Sequence, residues 1–150
     1  MNPVAKRVAI FGAVTALLVV GSLLCVIGHD PKIKREMHLA RVDWLPVEAS
    51  DISYAQKDGM GWLQSYECSL PRETLDKLAQ TEGWKLEAKE NISTGLRSTL
   101  GLPALREIDG MKVDLVPKAL FYEDRKPNGG GVTVIYDLEL GRLFVSKSHR

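Results

Sequence analysis

The run from Val8 to Ile27, VAIFGAVTALLVVGSLLCVI, constrains this chain more than any other feature: it has no charged residue, and only Thr15 and Ser22 interrupt its apolar character. Twenty helical residues at about 1.5 Å each reach roughly 30 Å, the thickness of the hydrocarbon core of a bilayer. A soluble helix of that length keeps a polar face for water, and this run has none. Lys6 and Arg7 precede it, and Gly28, His29, Asp30 and Pro31 follow it. The sequence therefore predicts a short tail over 1–7 and a transmembrane helix over 8–28, with a bilayer contact through those residues.

Two other fates of the same residues remain open. Cleavage as a signal peptide, with Val26 and Gly28 before the cut, would release a secreted domain, although the apolar run exceeds the 7 to 15 or so residues that such peptides use. Lipidation at Cys25 is disfavoured by Leu23 and Leu24 in front of it. A short basic N-terminus ahead of the first apolar helix is the signal-anchor arrangement, and long domains translocate largely regardless of charge. The expectation is a single-pass membrane protein with its domain on the extracytoplasmic side. Lys32, Lys34, Arg35 and Arg41 just beyond the helix argue for the reverse orientation.

Beyond this segment the chain is electrically neutral. With Lys6, Arg7 and Asp30 set aside from 20 basic and 19 acidic residues, 18 of each remain. No basic stripe is available to displace counterions from phosphates, so no nucleic acid is expected as a partner. A 45% hydrophobic and 26% charged composition excludes a wholly disordered chain. The expected layout is a juxtamembrane linker over 29–43 and a folded domain over 44–150.

Ile52–Gln56 and Trp62–Leu70 read as strands joined by an Asp-Gly turn at Lys57, Asp58 and Gly59. Ser69 and Pro71 open a helix with Leu75, Leu78 and Ala79 on one face and Gly83 as its stop. Trp84, Leu86 and Ala88 alternate with Lys85, Glu87 and Lys89, the pattern of a strand with one buried face. Lys118–Glu123, Val132–Asp137 and Arg142–Ser148 read as three further strands in tight hairpins. This order predicts an α+β domain, a small mainly antiparallel sheet with one packed helix.

The stretch Asn91–Pro117 resists a periodic reading because Gly95, Gly101, Pro103 and Gly110 interrupt it. A connection of this length in a small domain is commonly functional. Leu96, Leu100, Leu102 and Leu105, together with Trp44 ahead of Leu45 and Pro46, are the candidate partner-binding residues. Asn91, Ile92 and Ser93 also form a glycosylation sequon.

Candidates for chemistry are sparse. Cys68 has only His149 as a distant base, there is no CxxC or HExxH metal motif, and the glycines at 129–131 precede a strand rather than a helix N-terminus. No catalytic residue, metal or cofactor is expected. The sequence favours a non-enzymatic interaction or accessory role with an unidentified protein partner. The competing reading is a tethered hydrolase or small-ligand binder that uses Asp137, Glu123 and His149.

Overall fold

The computed structural model describes residues 33–59 and 61–149. The predicted transmembrane helix, and Cys25 and His29 with it, lies outside them. Among the described residues no helix is long and apolar enough to cross a membrane.

Seven strands form one antiparallel sheet: β1 (Ile33–Leu39), β2 (Ser50–Asp58), β3 (Trp62–Ser69), β4 (Glu87–Ser93), β7 (Leu115–Arg125), β8 (Gly131–Asp137) and β9 (Arg142–His149). Their spatial order is β1-β2-β3-β9-β8-β7-β4. Two three-stranded meanders thus meet along β3 and β9, where Tyr66 faces Val145 and Cys68 faces Leu143. A separate two-stranded ribbon, β5 (Arg106–Ile108) and β6 (Met111–Val113), lies between β4 and β7 in the chain. Among the described residues the helices are α1 (Arg72–Glu82) and the single turn α2 (Arg97–Leu100).

The domain is therefore predominantly antiparallel β, with 54% of residues 33–149 in strands and 13% in helices. This corrects the α+β expectation of one helix packed on a small sheet. Residues assigned to the linker and to the irregular stretch supply extra strands. Ile33–Leu39 pairs with β2, Lys34 facing Gln56 and Arg35 facing Ala55, so the sheet begins well ahead of Trp44. Linker-like composition concealed this strand because an edge strand tolerates a charged sequence such as KRE. Glu87–Ser93 begins three residues after Trp84 and forms the opposite edge against β7.

The first face of the sheet carries the larger apolar cluster, including Ile52, Tyr66, Cys68, Val134, Tyr136, Leu143 and Val145. Leu75, Leu78 and Ala79 of α1 join it, as do Leu45, Ala49 and Trp84 from the connecting segments. α1 follows Pro71, whose extended backbone suits the position before a helix, and ends at Gly83 in the left-handed region, φ 73°. There Trp84 N–H donates to Ala79 O and Gly83 N–H to Gln80 O, the paired bonds of a Schellman ending. The second face carries Val116, Ala119, Ile135 and Phe144, and Leu96 and Leu105 pack against it. Both faces are covered, which explains why Ser53, Ser65 and Ser146 are buried.

The β7–β8 turn depends on glycine at one position. Gly131 has φ 142°, and a Cβ there would collide with Asp124 O, a backbone atom that cannot swing aside. Gly131→Ala is expected to cost more than about 1 kcal/mol of unfolding free energy. Urea unfolding of the variant checks this, and unchanged stability would refute the Arg125–Gly131 register.

Candidate functional site

The second face is closed by the segment 94–114, a flap that contains α2 and the β5–β6 ribbon. Its two ends are drawn together at Asp114: Thr94 N–H donates to the backbone oxygen at 2.9 Å, and Leu105 N–H to the carboxylate Oδ1 at 3.0 Å. α2 packs over β2 and β3. Ser53, Ala55 and Ser65 on those strands are small, which lets a helical turn approach the sheet closely. Leu100 at its C-terminal end is fully buried.

Two arginines fasten the flap. Arg97 Nη1 donates to Glu67 Oε1 at 2.7 Å, and its Nε donates to Pro103 O at 2.7 Å. Arg106 Nη1 donates to Asp137 Oδ2 at 2.8 Å and to Leu115 O at 2.8 Å, and Nη2 reaches Glu139 Oε2 at 3.1 Å. Both sheet carboxylates are fully buried, and the two guanidiniums are nearly so, 11% exposed for Arg97 and 17% for Arg106. From the sheet itself Arg142 Nη2 shares Glu67 Oε1 at 2.7 Å, while Nη1 donates to Asp51 Oδ2 at 2.8 Å. Edge strand β1 adds a further tie, Arg35 Nε donating to Thr99 O at 2.9 Å.

Burial pushes the Glu67 carboxyl up, opposed by the two guanidiniums beside it. The hydrogen bond from Arg142 holds Asp51 below the usual carboxylate range. Glu67 Oε2 and Arg142 Nε are buried with no protein partner. The arrangement is thus a clasp of charge in which each flap guanidinium reaches a carboxylate on a different strand.

The sequence-predicted residues are distributed differently. Leu100 is buried, Leu96 and Leu105 pack toward Phe144, and Leu102 is half-buried. These leucines anchor the flap to its own sheet. Trp44 is half-buried, edge-on to Tyr66 at 5.1 Å between ring centroids, with Lys147 Nζ 3.9 Å from its ring centroid. Of the basic residues placed next to the membrane, Arg35 is engaged with the flap and Lys34 pairs with Glu36.

The acid-base candidates do not converge. Asp137 faces Arg142 across β8 and β9, whereas Ser148 faces Gly131 at the other end, so His149 lies about 24 Å away along the strand direction. Glu123 is two strands and three register positions from His149, about 14 Å. Asp137 is fully engaged, its Oδ1 accepting from the Glu139 and Leu140 amides while Oδ2 holds Arg106. Cys68 is buried opposite Leu143, and burial pushes its thiol up to about 12. Six register positions, about 20 Å, separate it from the level of His149.

Arg97, Arg106, Arg142 and Glu67 went unnoticed at the level of sequence. The available signal was the placement of Arg97 and Arg106 directly after Leu96 and Leu105, the leucines that anchor the segment. No family model, curated protein or solved structure matches the chain.

Glu67→Ala leaves two nearly buried guanidiniums short of a counter-charge, and a loss of about 3–5 kcal/mol is expected. Hydrogen exchange should then rise first at the Leu100 and Leu102 amides, which bond within the flap. A loss below about 1 kcal/mol with unchanged flap protection would refute the clasp. Asp51, held low in the folded state, contributes stability that is present above its ordinary value and lost as pH falls through its depressed one. Glu67, pushed up, contributes in the opposite sense: stability present at low pH is lost as pH rises through its raised value. Unfolding measured across the acid range should therefore show the gap between wild type and Asp51→Asn closing as pH falls. A gap that widens would contradict the Asp51–Arg142 pair.

Proposed function

We propose that this chain is a membrane-anchored accessory domain that binds a protein partner through the outer tip of its flap. Anchorage rests on the apolar run at 8–28, with the domain extracytoplasmic as a signal anchor would place it. The single observation that carries the interaction reading is the β5–β6 ribbon. Ile108 and Met111 are cross-strand partners and face solvent, 39% and 63% exposed, on either side of the turn formed by Asp109 and Gly110. Apolar side chains held out in this manner suit partner contact. The Arg106 clasp at the base of the ribbon keeps the tip in one place, so little ordering entropy is lost on binding. The leucines first considered for contact then serve as the anchor, and the contact itself moves to Ile108 and Met111.

A photo-crosslinking residue at Met111 of the full chain in its host membrane is expected to capture one discrete partner band, and the same residue at Lys85 to capture none. Ile108→Asp should abolish the Met111 band with unfolding unchanged. Equal capture from both positions, or a band indifferent to Ile108→Asp, would overturn the reading. Protease protection of intact cells with intact-mass analysis tests the anchorage: a full-length mass and a protease-accessible domain are expected. Loss of about the first 28 residues would make this a secreted domain instead.

A further inference from the structure

β1 is a weakly secured strand. Among the described residues it pairs with β2 alone, five of its seven residues are exposed, and Leu39 is the one that packs against the larger apolar cluster. Its register against β2 breaks between Glu36 and Leu39, where His38 takes a left-handed backbone, φ 53°. An edge strand with so little apolar burial opens at a lower free energy than the strands at the centre of a sheet. Two lines of contact nevertheless run from this strand to the flap.

The first line is direct. Arg35 shares the sheet face of its partner Ala55, and its Nε donates to Thr99 O at 2.9 Å. Thr99 belongs to the last turn of α2, where carbonyl oxygens are left without an intrahelical donor, so the guanidinium caps that end of the helix. Gly101, which follows α2 at φ 73°, approaches the same side chain closely: a Cβ there would lie 3.3 Å from Arg35 Cδ and Nε. The second line runs through side chains. His38 Nδ1 lies 3.2 Å from Asp51 Oδ1, Asp51 Oδ2 accepts from Arg142, and Arg142 shares Glu67 Oε1 with Arg97 of the flap. Arg97 Nε in turn donates to Pro103 O, three residues before Arg106, which joins α2 to the ribbon.

We infer that β1 is a strap for the flap: α2 stays seated while β1 is docked on β2, and release of β1 frees α2 and withdraws the Ile108–Met111 tip from its partner. This inference rests on the reading of the tip as the partner site. The two states differ in named contacts. Docked, β1 supplies Arg35 to Thr99 O and His38 to Asp51; released, it leaves the end of α2 uncapped and Asp51 with Arg142 alone of the two. β2 stays paired with β3 in both states, so the sheet itself is not the switch. Because coupling between two sites is reciprocal, a partner that holds the tip also favours docked β1.

Lys34→Cys with Gln56→Cys, made in the full chain carrying Cys25→Ser, joins β1 to β2 across a facing pair and leaves buried Cys68 as the other thiol. Facing residues of antiparallel strands have Cα atoms about 4.5–5.5 Å apart, within the reach of a disulfide. Hydrogen exchange at the Leu100 and Leu102 amides reads opening of the flap, and exchange at Val134 and Val145 reads the centre of the sheet. Oxidation is expected to slow Leu100 and Leu102 about tenfold or more relative to the reduced chain, beyond any slowing at Val134 and Val145. Arg35→Ala, at an exposed position, should speed the same two flap amides about tenfold with the sheet centre unchanged, and should weaken the band captured from Met111. Flap exchange indifferent to oxidation overturns the strap, since α2 then opens with β1 still docked. Arg35→Ala without effect on either flap amide overturns it as well, as does an undiminished Met111 band from a chain whose flap exchanges faster. Exchange that follows the disulfide while wild type yields no Met111 band supports the strap on the flap and overturns the partner reading instead.

Discussion

A carboxylate at the centre of a sheet face, out of water and shared by two guanidiniums, is the interaction on which the second face of this domain depends. Glu67 is fully buried, and Arg97 and Arg142 both converge on its Oε1. Taking an ion out of water costs several kcal/mol, and close pairing with hydrogen bonds is what offsets it. Arg142 comes from the neighbouring strand and is available whether or not the flap is seated. Arg97 comes from the flap alone. Seating the flap therefore completes the pairing of Glu67, and the flap in turn excludes the water that would weaken it. The apolar contacts of Leu96, Leu100 and Leu105 and the charged contacts of Arg97 and Arg106 act on the same segment.

This coupling bears on what was readable beforehand. The β2–β3 hairpin, α1 with Pro71 and Gly83 at its ends, and the three C-terminal strands follow from local rules of turn chemistry and periodicity, although Lys57 and Asp58, expected in the turn, pair with Leu63 and Trp62, and β7 starts at Leu115 rather than Lys118. Elements whose partners are distant in sequence were not legible. β1 has the composition of a linker and becomes a strand because β2 offers it a free edge. Trp84 to Lys89 alternates cleanly, yet only Trp84 and Leu86 turn inward, and pairing with β7 starts at Glu87. The tertiary contact overrode the local pattern.

The same limit explains the site. In β3 the alternation of Tyr66 and Cys68 with Ser65 and Glu67 reads as one buried and one solvated face, and Glu67 then looks like a surface acid. Its burial is decided by a segment 30 residues further on, and no periodicity within β3 carries that information. Likewise Asp137 looks like an ordinary turn acid, and one of its oxygens does cap the amides of Glu139 and Leu140. The other oxygen, held by Arg106, is the part that sequence could not supply.

The edges of the sheet narrow how such a domain could meet a partner. An unpaired edge strand invites strand addition unless charge or irregularity blunts it. β1 carries Lys34, Arg35 and Glu36 and breaks register between Glu36 and Leu39, with His38 at φ 53°. β4 carries Glu87, Lys89 and Glu90, and Asn91 turns to φ 54°. A partner strand would meet charge and a kink at both edges. Recognition through side chains is then favoured over recognition through the backbone, and the ribbon tip presents an apolar pair, Ile108 with Met111, without opening the sheet to association along its edges.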